Sequence, residues 1–205
     1  MNTTEVQKKM LFDILKSYRS TNGGEVWPDE YNNFFRVWGF FNRIYDTLYS
    51  DNEEWKRIAR FALDARFRQV CLKIKQMDEI RDLASRPCVG NGRNDYQPSK
   101  YVRISFQTLR TLYQIDIAKV CQETKCQERI NEDWPTCDSY DWPSPPQKVT
   151  KPRQVIYTHL GATLSIIYQI RNNLFHGTKQ EITEPQYQRN RELIYLSRVI
   201  MQNIL

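Results

Sequence analysis

An arginine and a histidine stand five positions apart near the end of a predicted helix, at Arg171 and His176. Histidine exchanges protons near neutral pH, and a fixed guanidinium can bind a phosphate or stabilise charge that develops on it. Together the two groups could cleave an RNA backbone through attack of the 2′-hydroxyl on the adjacent phosphate. This chemistry needs no metal, because the nucleophile is already held in the substrate.

The same pair also has a purely structural explanation. Cations in the last turn of a helix interact favourably with the helix dipole and with the free carbonyl groups. Gly177, which follows His176 directly, is a typical residue for ending a helix. Residue types alone therefore leave both a catalytic site and a helix cap open.

Helical geometry constrains the catalytic interpretation. Five residues at 100° each place Arg171 and His176 about 140° apart on an ideal helical wheel. The two side chains converge only if the helix ends or distorts before His176, or if a second protomer completes the site. A two-fold symmetric dimer would bring two copies of the motif together.

The elements that must position this pair are predicted to be helical almost throughout. Apolar residues recur at spacings of three and four, and no alternating run is long enough to require a sheet. The sequence predicts a single all-α domain over residues 1–205, a bundle of about five to six helices with a long acidic loop inserted at about 127–152, before the helix that carries the motif. The predicted helices cover about residues 3–18, 30–49, 51–84, 102–122, 152–175 and 183–205.

Composition narrows the class of protein. The chain has 205 residues, of which 40% are hydrophobic, and a formal net charge of +6. It is therefore expected to be globular, and the mild positive charge permits a polyanionic partner such as RNA without requiring one. Five scattered cysteines, the lack of a long apolar run and an N-terminus unlike a targeting segment predict a cytoplasmic protein with no membrane span.

Two stretches resemble one family. The stretch Arg171-Asn172-Asn173-Leu174-Phe175-His176 resembles the motif of the HEPN superfamily (higher eukaryotes and prokaryotes nucleotide-binding), which is an arginine, a polar residue, three to five further residues and a histidine. The pattern Trp38-Gly39-Phe40-Phe41-Asn42-Arg43-Ile44-Tyr45 is similar to the aromatic Trp-x-x-Phe-Asn-x-x-Tyr helix of several HEPN families. The two matches occur in the expected order within a helical chain.

This resemblance implies a metal-independent endoribonuclease without a cofactor, commonly a toxin or a defence effector, which acts as a homodimer through its motif helices. Transferred to this chain, it makes His176 the proton-transfer group and Arg171 the residue that holds the scissile phosphate. Asn172 would position the substrate or orient the other two side chains. The product would carry a 2′,3′-cyclic phosphate.

The resemblance supports a second interpretation as well. Related helical domains have lost activity, so the chain is alternatively a non-catalytic HEPN module. Such a module would bind RNA, a nucleotide or a protein partner, for example a nucleotidyltransferase-type antitoxin or another regulatory protein. Competent residues at all three motif positions favour the enzyme, whereas the long loop favours an additional partner.

Two asparagines are candidates for supporting roles. Asn42 lies among aromatic residues of the second predicted helix, and a buried amide needs hydrogen-bond partners. We expect it to bond either across to the motif helix or to a neighbouring backbone group. Asn173, inside the motif itself, is expected to support Arg171 and Asn172.

Weaker signals concern RNA contacts and metals. A basic face on the third predicted helix could follow a phosphate backbone or could simply be solvated. The acidic loop is expected to act as a lid, a regulatory segment or a docking loop rather than as a surface for RNA. The spacing of Cys121, Cys126 and Cys137 is unlike a zinc knuckle, so no metal site is predicted. The candidate basic contacts are Lys56, Arg57, Arg60, Arg66, Arg68, Lys73, Lys75 and, after the motif, Lys179.

Overall fold

The computed structural model describes residues 30–88, 100–116, 118–120, 143–175 and 184–205. These ranges contain helices and no strand, which confirms the predicted all-α fold, although the helices are more numerous and shorter than predicted. In chain order they include α1 (Glu30–Leu48), α2 (Glu54–Leu63), a first 3-10 helix (Ala65–Phe67), α3 (Arg68–Ile74), α4 (Asp78–Ala84), α5 (Lys100–Leu112), a second 3-10 helix (Pro152–Tyr157), α6 (His159–Phe175) and α7 (Glu184–Ile204).

Helix α1 confirms the aromatic period of the sequence. Its apolar residues recur every three or four positions, so they share one face, and that face is buried against α7 and α2. Trp38 and Phe41 make an edge-to-face contact at 5.6 Å, and Phe41 makes another with Phe61 of α2 at 5.0 Å. The aromatic face therefore fixes α1 against the elements on either side of it.

The predicted helix over 51–84 is wrong as a continuous element. Asp64 adopts an extended conformation (φ −73°, ψ 119°) at the end of α2, and its side chain accepts a hydrogen bond from the backbone N–H of Arg66. An aspartate that bonds to nearby backbone in this way competes with helix continuation. A second break falls at Met77, which is also extended and precedes α4. The breaks let α2 pack against α6 while α3 and α4 pack against α7.

The predicted helix over 102–122 ends early, because α5 stops at Leu112. Gln114 has a left-handed backbone (φ 53°), and the N–H of Ile115 bonds to the carbonyl of Arg110 at 2.9 Å. This is the hydrogen-bond pattern of a Schellman cap, which terminates a helix. Arg110 is fully buried and donates to the carbonyl of Ala84 at 2.9 Å, so it joins α5 to the C-terminal end of α4.

The predicted motif helix over 152–175 is two elements. A second 3-10 helix leads into extended Thr158, whose hydroxyl accepts a hydrogen bond from the backbone N–H of Gly161 at 3.1 Å and so caps the start of α6. Helix α6 buries the predicted stripe of Leu160, Leu164, Ile167 and Ile170. It packs against α2, α5, α7 and the second 3-10 helix, which makes it the central helix of the described bundle.

Helix α7 confirms most of the predicted C-terminal helix. Leu193, Leu196 and Ile200 are buried as expected, whereas Val199 is only partly buried. Three predictions lie outside the described residues: the capping residue Thr183, the first helix over 3–18 and residues 127–142 of the acidic loop. In the part of the chain that is described, no helix has the length and apolar character needed to cross a bilayer.

Gly161 is required by a close approach. A Cβ atom at this position would lie 2.2 Å from the carbonyl oxygen of Val155 in the second 3-10 helix. Gly161→Ala is therefore expected to lower the free energy of unfolding by about 1–3 kcal/mol, because backbone must move to admit the methyl group. Chemical denaturation measures this change.

Gly39 provides the matched control. It is exposed in the middle of α1, and a Cβ there would meet no atom within 4 Å. Gly39→Ala is expected to raise the free energy of unfolding by about 0.5–1 kcal/mol, through helix propensity alone. Equal effects at the two glycines would contradict the close approach at Gly161.

His159, the first residue of α6, is a buried histidine that the fold holds neutral. Its side chain is 7% exposed, and a hydrogen bond of 2.7 Å joins its Nε2 to the Tyr113 hydroxyl. Burial, helped by the charge of Lys75, lowers the pKa of His159 to about 4. This geometry gives His159 a structural role in the fold.

Acid should therefore weaken the fold through His159. Between pH 6.5 and about 4 the unfolded chain binds a proton at this imidazole that the folded chain does not, so stability falls as the pH is lowered. We expect a loss of about 2 kcal/mol across this window, measured by denaturation at a series of pH values. His159→Gln should flatten the profile, whereas Tyr113→Phe, which keeps the buried imidazole, should not. An unchanged profile in His159→Gln would refute this origin.

Candidate functional site

Arg171 lies near the end of α6 and is held from three sides. Its Nη1 donates to Oε2 of Glu54 at 3.2 Å and to Oδ1 of Asn172 at 2.8 Å. Its guanidinium carbon lies 5.6 Å from the centre of the Trp38 ring, within the range of a cation–π contact. The side chain keeps 21% of its surface exposed. Arg171 is thus a partly exposed cation in a fixed position.

Glu54 is the acceptor that joins three helices. It lies in the first turn of α2, where the helix dipole favours a negative charge. One carboxylate oxygen accepts from Arg171 on α6, and the other accepts from the hydroxyl of Tyr45 on α1 at 2.5 Å. The arginine of the motif therefore depends on a residue that the sequence analysis did not identify.

Tyr45 supplies the aromatic end of this network. It is fully buried, and burial first, followed by its hydrogen bond to Glu54, raises its pKa far above the usual range. Its hydroxyl therefore stays protonated and can donate. The guanidinium of Arg57 lies 5.8 Å from its ring centre and pairs with Asp46 at 2.7 Å.

Asn42 does not bond to the motif helix. Its side-chain oxygen lies within hydrogen-bond distance of the Tyr45 hydroxyl, which shares its single proton between this oxygen and Glu54, and its amide nitrogen donates to Asp46 at 2.9 Å. The sequence predicted a bond to the motif helix or to a neighbouring backbone group. The partners found are instead two side chains of α1 itself. Asn42 is also only partly buried. Its link to Arg171 runs through Tyr45 and Glu54.

Asn172 and Tyr168 complete the surroundings of Arg171. The ring of Tyr168 stacks on Trp38 at 6.2 Å with an angle of 28° between the planes. Burial raises the pKa of Tyr168, and a hydrogen bond with Asn172 partly opposes this rise. Asn172 thus contacts both the arginine and the tyrosine one turn earlier.

Asn173 turns towards the interior. It is 4% exposed, and its side-chain oxygen accepts a 2.8 Å hydrogen bond from the amide of Gln169, one turn earlier. This bond links the last two turns of α6. Asn173 therefore stabilises the helix that carries the motif and does not contact Arg171 through this bond.

His176 and Lys179 lie outside the described residues. The convergence of His176 with Arg171, in one chain or across a dimer, therefore stays a prediction. The described part of the site is its arginine half, together with the groups that hold it.

The predicted basic face does not lie on one helix. Arg66 and Arg68 follow the break at Asp64, so they are not in register with the basic residues of α2. Acidic side chains are also interleaved with the cations, and this pairing reduces the field that a phosphate backbone would meet. The ion pairs are Lys56–Glu53, Arg57–Asp46, Arg60–Asp51 and Arg66–Asp64.

Asp64 illustrates the strength of this pairing. The adjacent Arg66 guanidinium, followed by the Tyr49 hydroxyl, holds the pKa of Asp64 at about 2 despite partial burial. Arg68, by contrast, is exposed on α3 and forms no ion pair among the described residues. Arg68 is therefore more available to an external anion than Arg66, whose guanidinium is paired with Asp64.

The sequence indicated only some of the residues that hold Arg171. Trp38 and Tyr45 belong to the aromatic pattern that resembles HEPN helices, so their importance was indicated, although not their contacts. Glu54 carries no local signal, because an acid in the first turn of a helix is common for reasons of the dipole alone.

Metal ligands do not cluster in the described chain. Within those residues no group of three or more histidine, cysteine, aspartate or glutamate side chains is placed to hold an ion. Cys121, Cys126 and Cys137, which the sequence analysis considered as ligands, lie outside the described residues.

Comparison with known proteins adds no relative. No family model matches the chain, no curated protein matches it, and no solved structure is similar to it at a significant level.

The carboxylate of Glu54 should contribute more to the free energy of unfolding than the carboxylate of the neighbouring Glu53. Glu54→Ala is expected to lower the free energy of unfolding by about 1–3 kcal/mol, because Arg171 and the Tyr45 hydroxyl would each lose an acceptor while partly or fully buried. Urea denaturation measures the change.

Glu53 is the matched control for this experiment. It precedes Glu54 directly, but half of its side chain is exposed and its partners, Lys56 and Trp55, are at the surface. Glu53→Ala should leave stability nearly unchanged, since exposed ion pairs contribute little. Equal losses in the two variants would contradict a stabilising role for the Glu54 network.

Proposed function

We propose that the protein is a metal-independent endoribonuclease of the HEPN type. The observation that carries the proposal is the fixed, partly exposed guanidinium of Arg171, held by Glu54, Asn172 and Trp38 five residues before His176. A cation that is oriented before the substrate binds stabilises developing charge without a cost of reorganisation at the moment of reaction.

The reaction is an internal transesterification. The 2′-oxygen of one ribose attacks the adjacent phosphorus, the bond from phosphorus to the 5′-oxygen of the next nucleotide breaks, and a 2′,3′-cyclic phosphate and a 5′-hydroxyl result. His176 transfers the proton, taking it from the 2′-hydroxyl or giving it to the leaving oxygen. Arg171 binds the non-bridging phosphate oxygens, whose charge increases in the transition state.

The proposal includes an assembly and a cellular role. Two protomers would meet through α6 and its motif, because a two-fold axis there places the arginine of one copy near the histidine of the other. The resemblance to HEPN proteins favours a cytoplasmic toxin, or a defence effector against phage or stress, restrained by an antitoxin or another regulatory protein.

A second function is favoured by one specific observation. Glu54 already accepts a hydrogen bond from Arg171, so a phosphate must compete with an internal carboxylate for this guanidinium. That arrangement suits a non-catalytic module in which Arg171 stabilises the fold, and the module would bind RNA, a nucleotide or a protein through other groups.

Cleavage of labelled RNA in excess EDTA separates the two functions. Wild-type protein should cut RNA with the metal removed, His176→Ala should abolish cutting, and Arg171→Ala should lower the rate about 100-fold or more. Arg81→Ala is the control, since Arg81 is an exposed arginine on α4, away from the motif. Loss of cutting in EDTA, or full activity in His176→Ala, would refute the proposed mechanism.

The products test the route of attack in the same experiment. A single 2′-deoxy substitution at the mapped cleavage position should prevent cutting there, because the nucleophile is removed. Cleavage that continues at a 2′-deoxy position would show that water or another group attacks instead.

A further inference from the structure

A cavity of about 330 Å³ opens beside the Arg171 network. It lies between α2, α5, the second 3-10 helix and α6, and its lining includes apolar residues such as Ile58 and Leu164. Its volume is in the range of small-ligand sites, which are largely apolar with a few polar groups. The proposed cleavage chemistry uses none of these apolar residues.

Three aromatic side chains belong to the lining of the cavity. Trp55 of α2, Tyr101 of α5 and Tyr168 of α6 all line it. Tyr101 is 48% exposed, although large aromatic side chains are usually buried. Aromatic surfaces of this kind stack on flat, unpaired bases.

Two polar side chains of the lining have hydrogen-bonding capacity left for a ligand. Ser165 and Gln169 are one turn apart on α6, and both line the space. The amide nitrogen of Gln169 donates to Asn173, whereas its carbonyl oxygen accepts no hydrogen bond in the described part of the chain. The Ser165 hydroxyl also has no hydrogen-bond partner there. One edge of a flat ligand would thus meet an acceptor and a hydroxyl.

A cation lies in the same lining. Arg153 of the second 3-10 helix is exposed and lines the cavity together with Glu53, whose carboxylate interacts with its charge although the two side chains form no direct ion pair. An exposed guanidinium suits the phosphate of a nucleotide whose base enters the cavity. Stacking surfaces, edge hydrogen bonds and a cation are together the elements of nucleotide recognition.

Tyr168 connects the cavity to Arg171. It lines the cavity, stacks on Trp38 and is hydrogen-bonded with Asn172, whose side chain accepts from Arg171. Positions 171 and 172 follow position 168 by three and four residues, so both are neighbours of Tyr168 on the helix surface. A base in the cavity would therefore lie next to the phosphate at Arg171.

We propose that this cavity binds one unpaired nucleobase of the RNA, next to the phosphate that Arg171 holds. The inference rests on the proposed function for its substrate, but the pocket itself does not depend on catalysis. Its consequence is selectivity: the enzyme cuts beside a base that can leave its stack, in a single strand or a loop, and prefers the base whose edge matches Ser165 and Gln169.

Binding of the four nucleoside 5′-monophosphates, measured by calorimetry and by quenching of tryptophan fluorescence, tests the pocket without cleavage. We expect saturable binding with a preference among the four bases. Tyr101→Ala should weaken binding about 10-fold, which is the scale of one lost base–aromatic stack. Tyr195→Ala is the matched control, because Tyr195 is also 48% exposed but lies on α7, outside the cavity.

A second variant tests whether a loss of binding comes from the cavity itself or from unfolding of the protein. Ala62→Leu places a larger side chain into the cavity from α2 and should also abolish binding, while a thermal melt reports whether the variant is folded. Equal binding by wild type, Tyr101→Ala and a folded Ala62→Leu would overturn the inference. Failure of all four monophosphates to bind to the wild-type protein would overturn it as well.

The outcomes distinguish this inference from the proposed function. Binding without any cleavage by the wild type would reject the ribonuclease and keep the pocket. Cleavage that Tyr101→Ala and Ala62→Leu leave unaltered, in rate and in base preference, would reject the pocket and keep the ribonuclease.

Discussion

The carboxylate of Glu54 is the constraint on which the arrangement of α1, α2 and α6 around the motif depends. It accepts from Tyr45 on one oxygen and from Arg171 on the other, so three helices share one charged group. A partly buried charge is costly unless its hydrogen bonds are satisfied, and here both oxygens have donors. The aromatic packing of Trp38 against Tyr168 and Arg171 then fixes the angle at which the guanidinium faces outward.

The sequence predicted the elements whose burial is periodic. The aromatic residues of α1 and the apolar stripe of α6 repeat every three or four positions, and the structure buries both sets. It could not predict the breaks at Asp64 and Thr158, because a single polar residue is tolerated within a helical period. Whether such a residue caps a new turn or stays in the helix depends on tertiary packing.

The sequence predicted those parts of the site whose residues lie close together along the chain. Arg171, Asn172 and the aromatic helix follow from short motifs, whereas Glu54 does not. Its pairing with Arg171 spans 117 positions of the chain, and no spacing rule reaches across such a separation. Both partners considered for Asn42, the motif helix and a neighbouring backbone group, were wrong for a related reason, since the side chains of Tyr45 and Asp46 take its contacts. Side-chain length and helix orientation decide such contacts.

That separation also orders events during synthesis. Helices α1 and α2 are complete long before α6 leaves the ribosome, so Glu54 and Tyr45 can meet early, while Arg171 must wait for a distant loop closure. Contacts of this kind are formed late and slowly in folding. The orientation of the arginine is therefore a property of the finished chain and not of the motif helix, and a truncated chain that contains the motif without α2 lacks the group that aims it.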